Sequence, residues 1–127
     1  MSERKVILTP KAPQPRGPYS QAVVHDGIIY ISGQGPVDPV TNKIIRGTME
    51  QETARTLENI KILVTEAGSK LENIIKITCF LSDMNDYVVF NNTYKKYFIE
   101  KPPARSTIEA KLPAGMKIGM DAIVALK

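Results

Sequence analysis

Between Thr48 and Ser82 the chain changes its apolar period once, and that change limits the available folds more than any other feature. Thr48 with Gln51 three residues on fits a capping box, and Ala54, Leu57, Ile60, Val64 and Ala67 then recur at helical spacing until Gly68 breaks the pattern. "ENIIKITCFLS", residues 72–82, follows almost at once with β-branched residues in a continuous apolar run, the pattern of a strand buried on both faces. A helix feeding directly into such a strand predicts a crossover to a parallel neighbour in a helix-covered sheet.

The flanking segments extend this frame. "KVIL" at residues 5–8 reads as a short strand. Prolines at 10, 13, 15 and 18 then forbid a helix and disfavour a central strand, so this stretch must run as irregular extended chain. In "AVVHDGIIYISG" two strands surround Asp26-Gly27, the dipeptide suited to a type I′ hairpin turn. From about Asp83 to Ile99 an aromatic stripe of Tyr87, Phe90, Tyr94, Tyr97 and Phe98 predicts a second helix, which Pro102 and Pro103 forbid from continuing. We read that stripe as core rather than as a ligand platform, with Asn91 beside it as a polar exception. Two more strands close the chain. The expected fold is α+β or α/β-like: a mixed six-stranded sheet with two helices packed on one face, in a single domain over residues 1–127.

Several function classes are argued against. The net charge is +4, but its 17 Lys and Arg residues are scattered among 13 acids, without the clustered stripe and aromatic platform of a nucleic-acid surface. Cys79 is the single cysteine and reads as a small buried hydrophobe, with no disulfide, redox pair or multi-cysteine zinc site available to it. His25, the only histidine, flanks the hairpin turn without ligand-spaced partners, so no metal is expected. Gly33 and Gly35 lack the third glycine of a dinucleotide fingerprint, and no Lys-Ser or Lys-Thr follows as a P-loop requires. The N-terminus carries no long apolar segment, which gives a cytoplasmic expectation and no membrane partner.

The last strands hold the chemistry. If "LPAGM" turns them into a hairpin, Lys111 opposes Lys117 and Thr107 opposes Asp121, placing Arg105, Thr107 and Asp121 on one face. Ile123 and Ala125 share that face, so it reads as a subunit interface with Arg105 in a cleft between chains. A guanidinium there can hold a carboxylate through two parallel hydrogen bonds, which implies a small organic acid as ligand. Spacing alone leaves open whether Asp121 orients a water.

Six motifs carry a resemblance over nearly the whole chain: "GPYSQA" at 17–22, "ISGQ" at 31–34, "DMNDY" at 83–87, "NNTYKKYF" at 91–98, "PPARST" at 102–107 and "LPAGMKIGMDAIVA" at 112–125. In that order they resemble the Rid or YjgF family of reactive intermediate deaminases, and its RidA subgroup in particular. The resemblance implies a chorismate-mutase-like homotrimer with the sheets forming an inner barrel and clefts between subunits, and no cofactor. It implies hydrolysis of enamines and imines, such as 2-aminoacrylate and 2-iminobutanoate, to 2-keto acids and ammonia, a removal of damaging metabolites. By motif, Arg105 would clamp the substrate carboxylate, and Asp121 would position the attacking water. Tyr19, Asn91, Thr107 and the backbone near Ser32 and Gly33 would line the cleft.

The chain departs from the family at three positions: Asp121 stands where glutamate is usual, Thr107 where RidA proteins often carry cysteine, and Gly119 where a further glutamate is common. Two other readings accompany the enzymatic one. A non-catalytic protein would bind or sense a small carboxylate without turnover. The ribonuclease or translation-inhibitor activity attached to some family members would require a phosphodiester-cleaving site, and no Lys- or His-based one is visible.

Overall fold

A computed structural model describes residues 3–127. Its strands are β1 (Lys5–Ile7), β2 (Ala22–His25), β3 (Ile28–Gln34), β4 (Ile74–Leu81), β5 (Ala104–Glu109) and β6 (Ile118–Ala125), with helices α1 (Met49–Glu66) and α2 (Tyr87–Tyr94). They form one mixed six-stranded sheet in the order β1-β2-β3-β6-β4-β5, with both helices on one face. This is the expected α+β architecture.

Local chemistry accounts for most elements. Asp26 and Gly27 both have positive φ, 51° and 76°, as the type I′ turn between β2 and β3 demands. The Thr48 side chain accepts the Gln51 backbone N–H while the Gln51 side chain accepts that of Thr48, so α1 begins on a complete capping box. Gly68 takes the left-handed conformation just past the end of α1, at φ 92°. Leu57, Ile60, Leu63 and Val64 of α1 are fully buried against Ile29, Ile77, Cys79, Met120 and Val124 of the sheet. The proline-rich loop is held by Gln21, whose buried amide accepts the Thr9 N–H and donates to the carbonyls of Thr9 and Pro13.

Three expectations are corrected. The second helix does not run to Ile99: a 3-10 turn at Met84–Asp86 precedes α2, which ends at Tyr94. The final two strands do not form a hairpin. β6 inserts between β3 and β4, antiparallel to both, while β5 lies parallel to β4 at the sheet edge. Thr107 therefore pairs with Cys79 instead of Asp121, and Asp121 pairs with Thr78. The residues 110–117 between the strands cross over β4 through a 3-10 turn at Pro113–Gly115, so the expected pairing of Lys111 with Lys117 does not arise.

The third correction concerns faces. Arg105 aligns with Ile77 and Thr107 with Cys79, and both partners are fully buried under the helices. Asp121 and Thr78 occupy the alternate positions and point to the other, uncovered face. Arg105 and Thr107 thus share the helix-covered face, and Asp121 faces away from them. Ile108, aligned with Phe80, lies on the uncovered face and is 50% exposed.

Glu52 is a buried carboxylate that the sequence reading did not single out. Its Oε1 accepts the Lys117 backbone N–H at 2.8 Å, and its Oε2 accepts the Gly47 N–H at 3.0 Å, with Lys117 Nζ at 3.4 Å. One side chain thus ties the entry to α1 to the start of β6. In Glu52→Gln the amide nitrogen must face a backbone N–H that loses its acceptor, at a cost of about 2 kcal/mol. The expected result is a lower urea midpoint with an unchanged m-value, measured by circular dichroism.

Candidate active site

The β5–α2 contact builds a charged site from apolar parts. Tyr87, Phe90, Asn91 and Tyr94 recur at three- and four-residue spacing, so one face of α2 presents all four. Below it, the Arg105 guanidinium carbon lies 4.8 Å from the Tyr94 ring centroid, 5.1 Å from that of Phe90 and 5.6 Å from that of Tyr87. Three rings surround one cation, each within the range of attraction between a cation and an aromatic face. Arg105 Nη2 also donates to the Tyr87 hydroxyl at 3.0 Å. Among the described residues no carboxylate pairs with Arg105.

The aromatic stripe therefore serves two purposes where one was expected. Phe90, Tyr94 and Phe98 stack in series, with centroids 5.4 and 4.9 Å apart, and are buried as core. Tyr87, Phe90 and Tyr94 additionally grip the arginine. The signal available in the sequence was Asn91 within the stripe: a helix face carrying a polar residue among aromatics borders something polar.

Three buried polar atoms near this cation have no partner: Asn91 Oδ1, Tyr94 Oη and Thr107 Oγ1. Such orphaned atoms are uncommon; these three lie on α2 and β5, while His25 Nδ1, Thr53 Oγ1 and Arg55 Nε on β2 and α1 are also without a partner among the described residues. Burial, opposed by Arg105, pushes the neighbouring Cys79 thiol up to about 12, and burial likewise raises the Tyr94 hydroxyl. Both stay neutral at ordinary pH, and Cys79 is the inert buried residue expected. Arg105 is left as the one charge in a site able to offer it to an anion.

The other expected site residues lie elsewhere. Tyr19 and Gly33 line a cleft of about 450 Å³ whose walls include Arg16, Gln34, Phe80 and Gly119. Asp121 does not line this cleft. Its carboxyl is raised by burial, with a Thr78 hydrogen bond and Lys76 acting against the rise. Asp121 does adjoin the second group through the β3–β6 ladder. The register shifts between Ile31 and Gln34, so Ser32 and Gly33 together face Asp121 across a bulge. A Cβ at Gly33 would meet nothing within 4 Å, which leaves the backbone there open to approach.

Within one chain the expected residues therefore fall into two separate groups: Arg105, Asn91 and Thr107 under α2, and Tyr19, Ser32, Gly33 and Asp121 around the β3 bulge. The Arg105 and Asp121 backbones stand two strands apart, roughly 10 Å, with side chains on opposite faces.

Residues 9–126 match the family model described as endoribonuclease L-PSP. A RutC family protein of Pyrococcus abyssi is 44% identical over 121 residues, covering 94% of this chain and 95% of its own. The chain belongs to the Rid/YjgF family. Among its Rid/YjgF relatives, the 2-iminobutanoate/2-iminopropanoate deaminase of Bos taurus is 42% identical over 121 residues, 94% of this chain and 88% of that one. TdcF of E. coli, solved with bound serine, superimposes with a TM-score of 0.90 at 36% identity, over 95% of this chain and 98% of that one. The Rid/YjgF fold thus agrees with the sheet order and helix placement described above.

Proposed function

We propose that this protein hydrolyses 2-imino acids and their enamine tautomers, such as 2-iminobutanoate and 2-aminoacrylate, to 2-keto acids and ammonia, and so clears reactive intermediates. The observation that carries the reading is Arg105: a guanidinium held by three rings and, among the described residues, without a carboxylate partner. Arg105 would bind the substrate carboxylate through its fork, with Asn91 and Thr107 packed beside it in the cleft. Water adds to the imine carbon, the carbon–nitrogen bond breaks, and ammonia leaves. Asp121, its carboxylate less stable than usual through burial, would hold and orient that water. The serine bound by TdcF and the deaminase relatives support an α-carboxylate ligand for this family member too.

Opposite faces keep Arg105 and Asp121 of one chain from meeting on one small substrate, so the complete site requires two chains. The uncovered sheet face supplies the contact surface: Val6, Tyr30 and Ile108 are exposed there at 46%, 47% and 50%. We assign the assembly as a homotrimer whose sheets line an inner barrel, in a chorismate-mutase-like arrangement, with Tyr19, Ser32, Gly33 and Asp121 of one subunit facing Arg105 of the next. Light scattering at micromolar concentration should give three times the chain mass. A monomer that still turns over substrate would overturn this assignment.

The test of function is to generate 2-iminobutanoate in situ and follow its loss and ammonia release with and without the protein. Faster loss supports the enzyme. Binding of 2-ketobutyrate without any acceleration selects the non-catalytic reading, which the separation of Arg105 from Asp121 within one chain favours as the alternative. For a ribonuclease the geometry offers little, since His25 sits at the hairpin turn against Asp26.

A further inference from the structure

We infer that the Tyr87 hydroxyl is a positioning group that decides which edge of the Arg105 guanidinium is offered to a substrate carboxylate. This rests on the carboxylate-clamp reading of Arg105 and adds a residue to it.

Phe90 and Tyr94, at 0% and 5% exposure, press on Arg105 as ring surfaces. Such contacts hold a cation in place but are weakly directional, so by themselves they do not specify which edge of the guanidinium is presented. Its single hydrogen bond among the described residues, from Nη2 to the Tyr87 hydroxyl at 3.0 Å, supplies the missing restraint. Nη2 carries two hydrogens. One belongs to the edge shared with Nε and the other to the edge shared with Nη1, and a bidentate carboxylate needs both hydrogens of one edge. With one Nη2 hydrogen given to Tyr87, one edge is closed and the other stands ready. Tyr87 can do this at small cost to the fold because it opens α2 at the surface, 36% exposed.

The phenol is a neutral acceptor, which matters as much as its position. A carboxylate at this place would neutralise Arg105 and compete with the substrate, whereas a hydroxyl orients the cation and leaves its charge available. Arg105 then needs no reorientation when an acid arrives.

Tyr87→Phe keeps the ring over Arg105 and removes only the hydroxyl. Isothermal titration with 2-ketobutyrate, a stable keto acid, should give a Kd raised ~10-fold, with an unchanged urea midpoint. In imine hydrolysis the loss should appear in KM, with kcat within ~2-fold of wild type. A merely structural role would shift the urea midpoint and leave the affinity of the folded protein alone. An unchanged Kd, or a tighter one showing that the hydroxyl competes with the ligand, would overturn the inference. If the wild type binds 2-ketobutyrate but hydrolyses no imine, the deaminase reading fails while the Kd comparison still decides the role of Tyr87. A wild type that binds no carboxylate overturns both.

Discussion

Arg105→Lys is expected to reduce kcat/KM for imine hydrolysis by at least ~1000-fold while leaving the oligomer and its thermal midpoint nearly unchanged. Lysine keeps the positive charge and can still sit among Tyr87, Phe90 and Tyr94, so the packing of α2 on β5 survives. What it loses is the planar fork. A point ammonium cannot hold both carboxylate oxygens in one plane, and it cannot donate to Tyr87 while presenting a second, parallel pair of hydrogens. Loss of a bidentate charged contact together with the orientation of the reacting carbon corresponds to a factor of that size. Steady-state hydrolysis of 2-iminobutanoate, with light scattering as the control for assembly, makes the measurement. Activity within ~10-fold of wild type would remove Arg105 from its role as carboxylate clamp.

Asp121→Asn should lower turnover by at least ~100-fold and leave the affinity for 2-ketobutyrate nearly unchanged, because the amide keeps the shape but cannot take a proton from water. Its effect on stability has a defined sign. Burial raises the Asp121 carboxyl in the folded chain, so this group contributes stability fully below its unfolded pKa. That contribution is lost as pH rises through the folded pKa. Above its folded pKa the buried carboxylate therefore opposes folding, and Asp121→Asn should leave the urea midpoint there equal or higher. An enzyme made slower but no less stable identifies a group retained for chemistry.

The companion variant Asp121→Glu tests reach. Aspartate is one methylene shorter than the glutamate usual in the family, about 1.5 Å, so the longer side chain should retain or raise activity. Unchanged turnover in Asp121→Asn would take Asp121 out of the mechanism and strengthen the non-catalytic reading.

The β6 insertion explains why the spacing of Arg105 and Asp121 misled at the level of faces. Alternation places Arg105 and Thr107 correctly on one side of β5, and Asp121 and Ile123 on one side of β6. Which sides coincide depends on the intervening strand. With β4 between them, Asp121 aligns with Thr78 and Thr107 with Cys79, consecutive residues that point to opposite faces. A hairpin assumption skipped β4 and so inverted the parity. Apolarity did not warn of this: on β5 the isoleucine faces the uncovered side, and the arginine lies inward under aromatic rings.

Wherever the deciding interactions lie within a few residues, the sequence by itself determined the outcome. The Thr48–Gln51 capping box, the Asp26-Gly27 turn, the Gly68 stop, the prolines that keep residues 10–18 out of helix, and the two apolar periods are all local, and each specified its element. The spaced motifs added the family and, with it, the set of residues to watch. The tertiary structure decided the strand order, the face on which each charge lies, the packing of the stripe around Arg105, and the separation of Arg105 from Asp121 on opposite faces of the sheet. These depend on contacts between residues far apart in the chain, such as β3 with β6 or Glu52 with Lys117. Periodicity gives each strand two faces but carries no information about which neighbour it will meet.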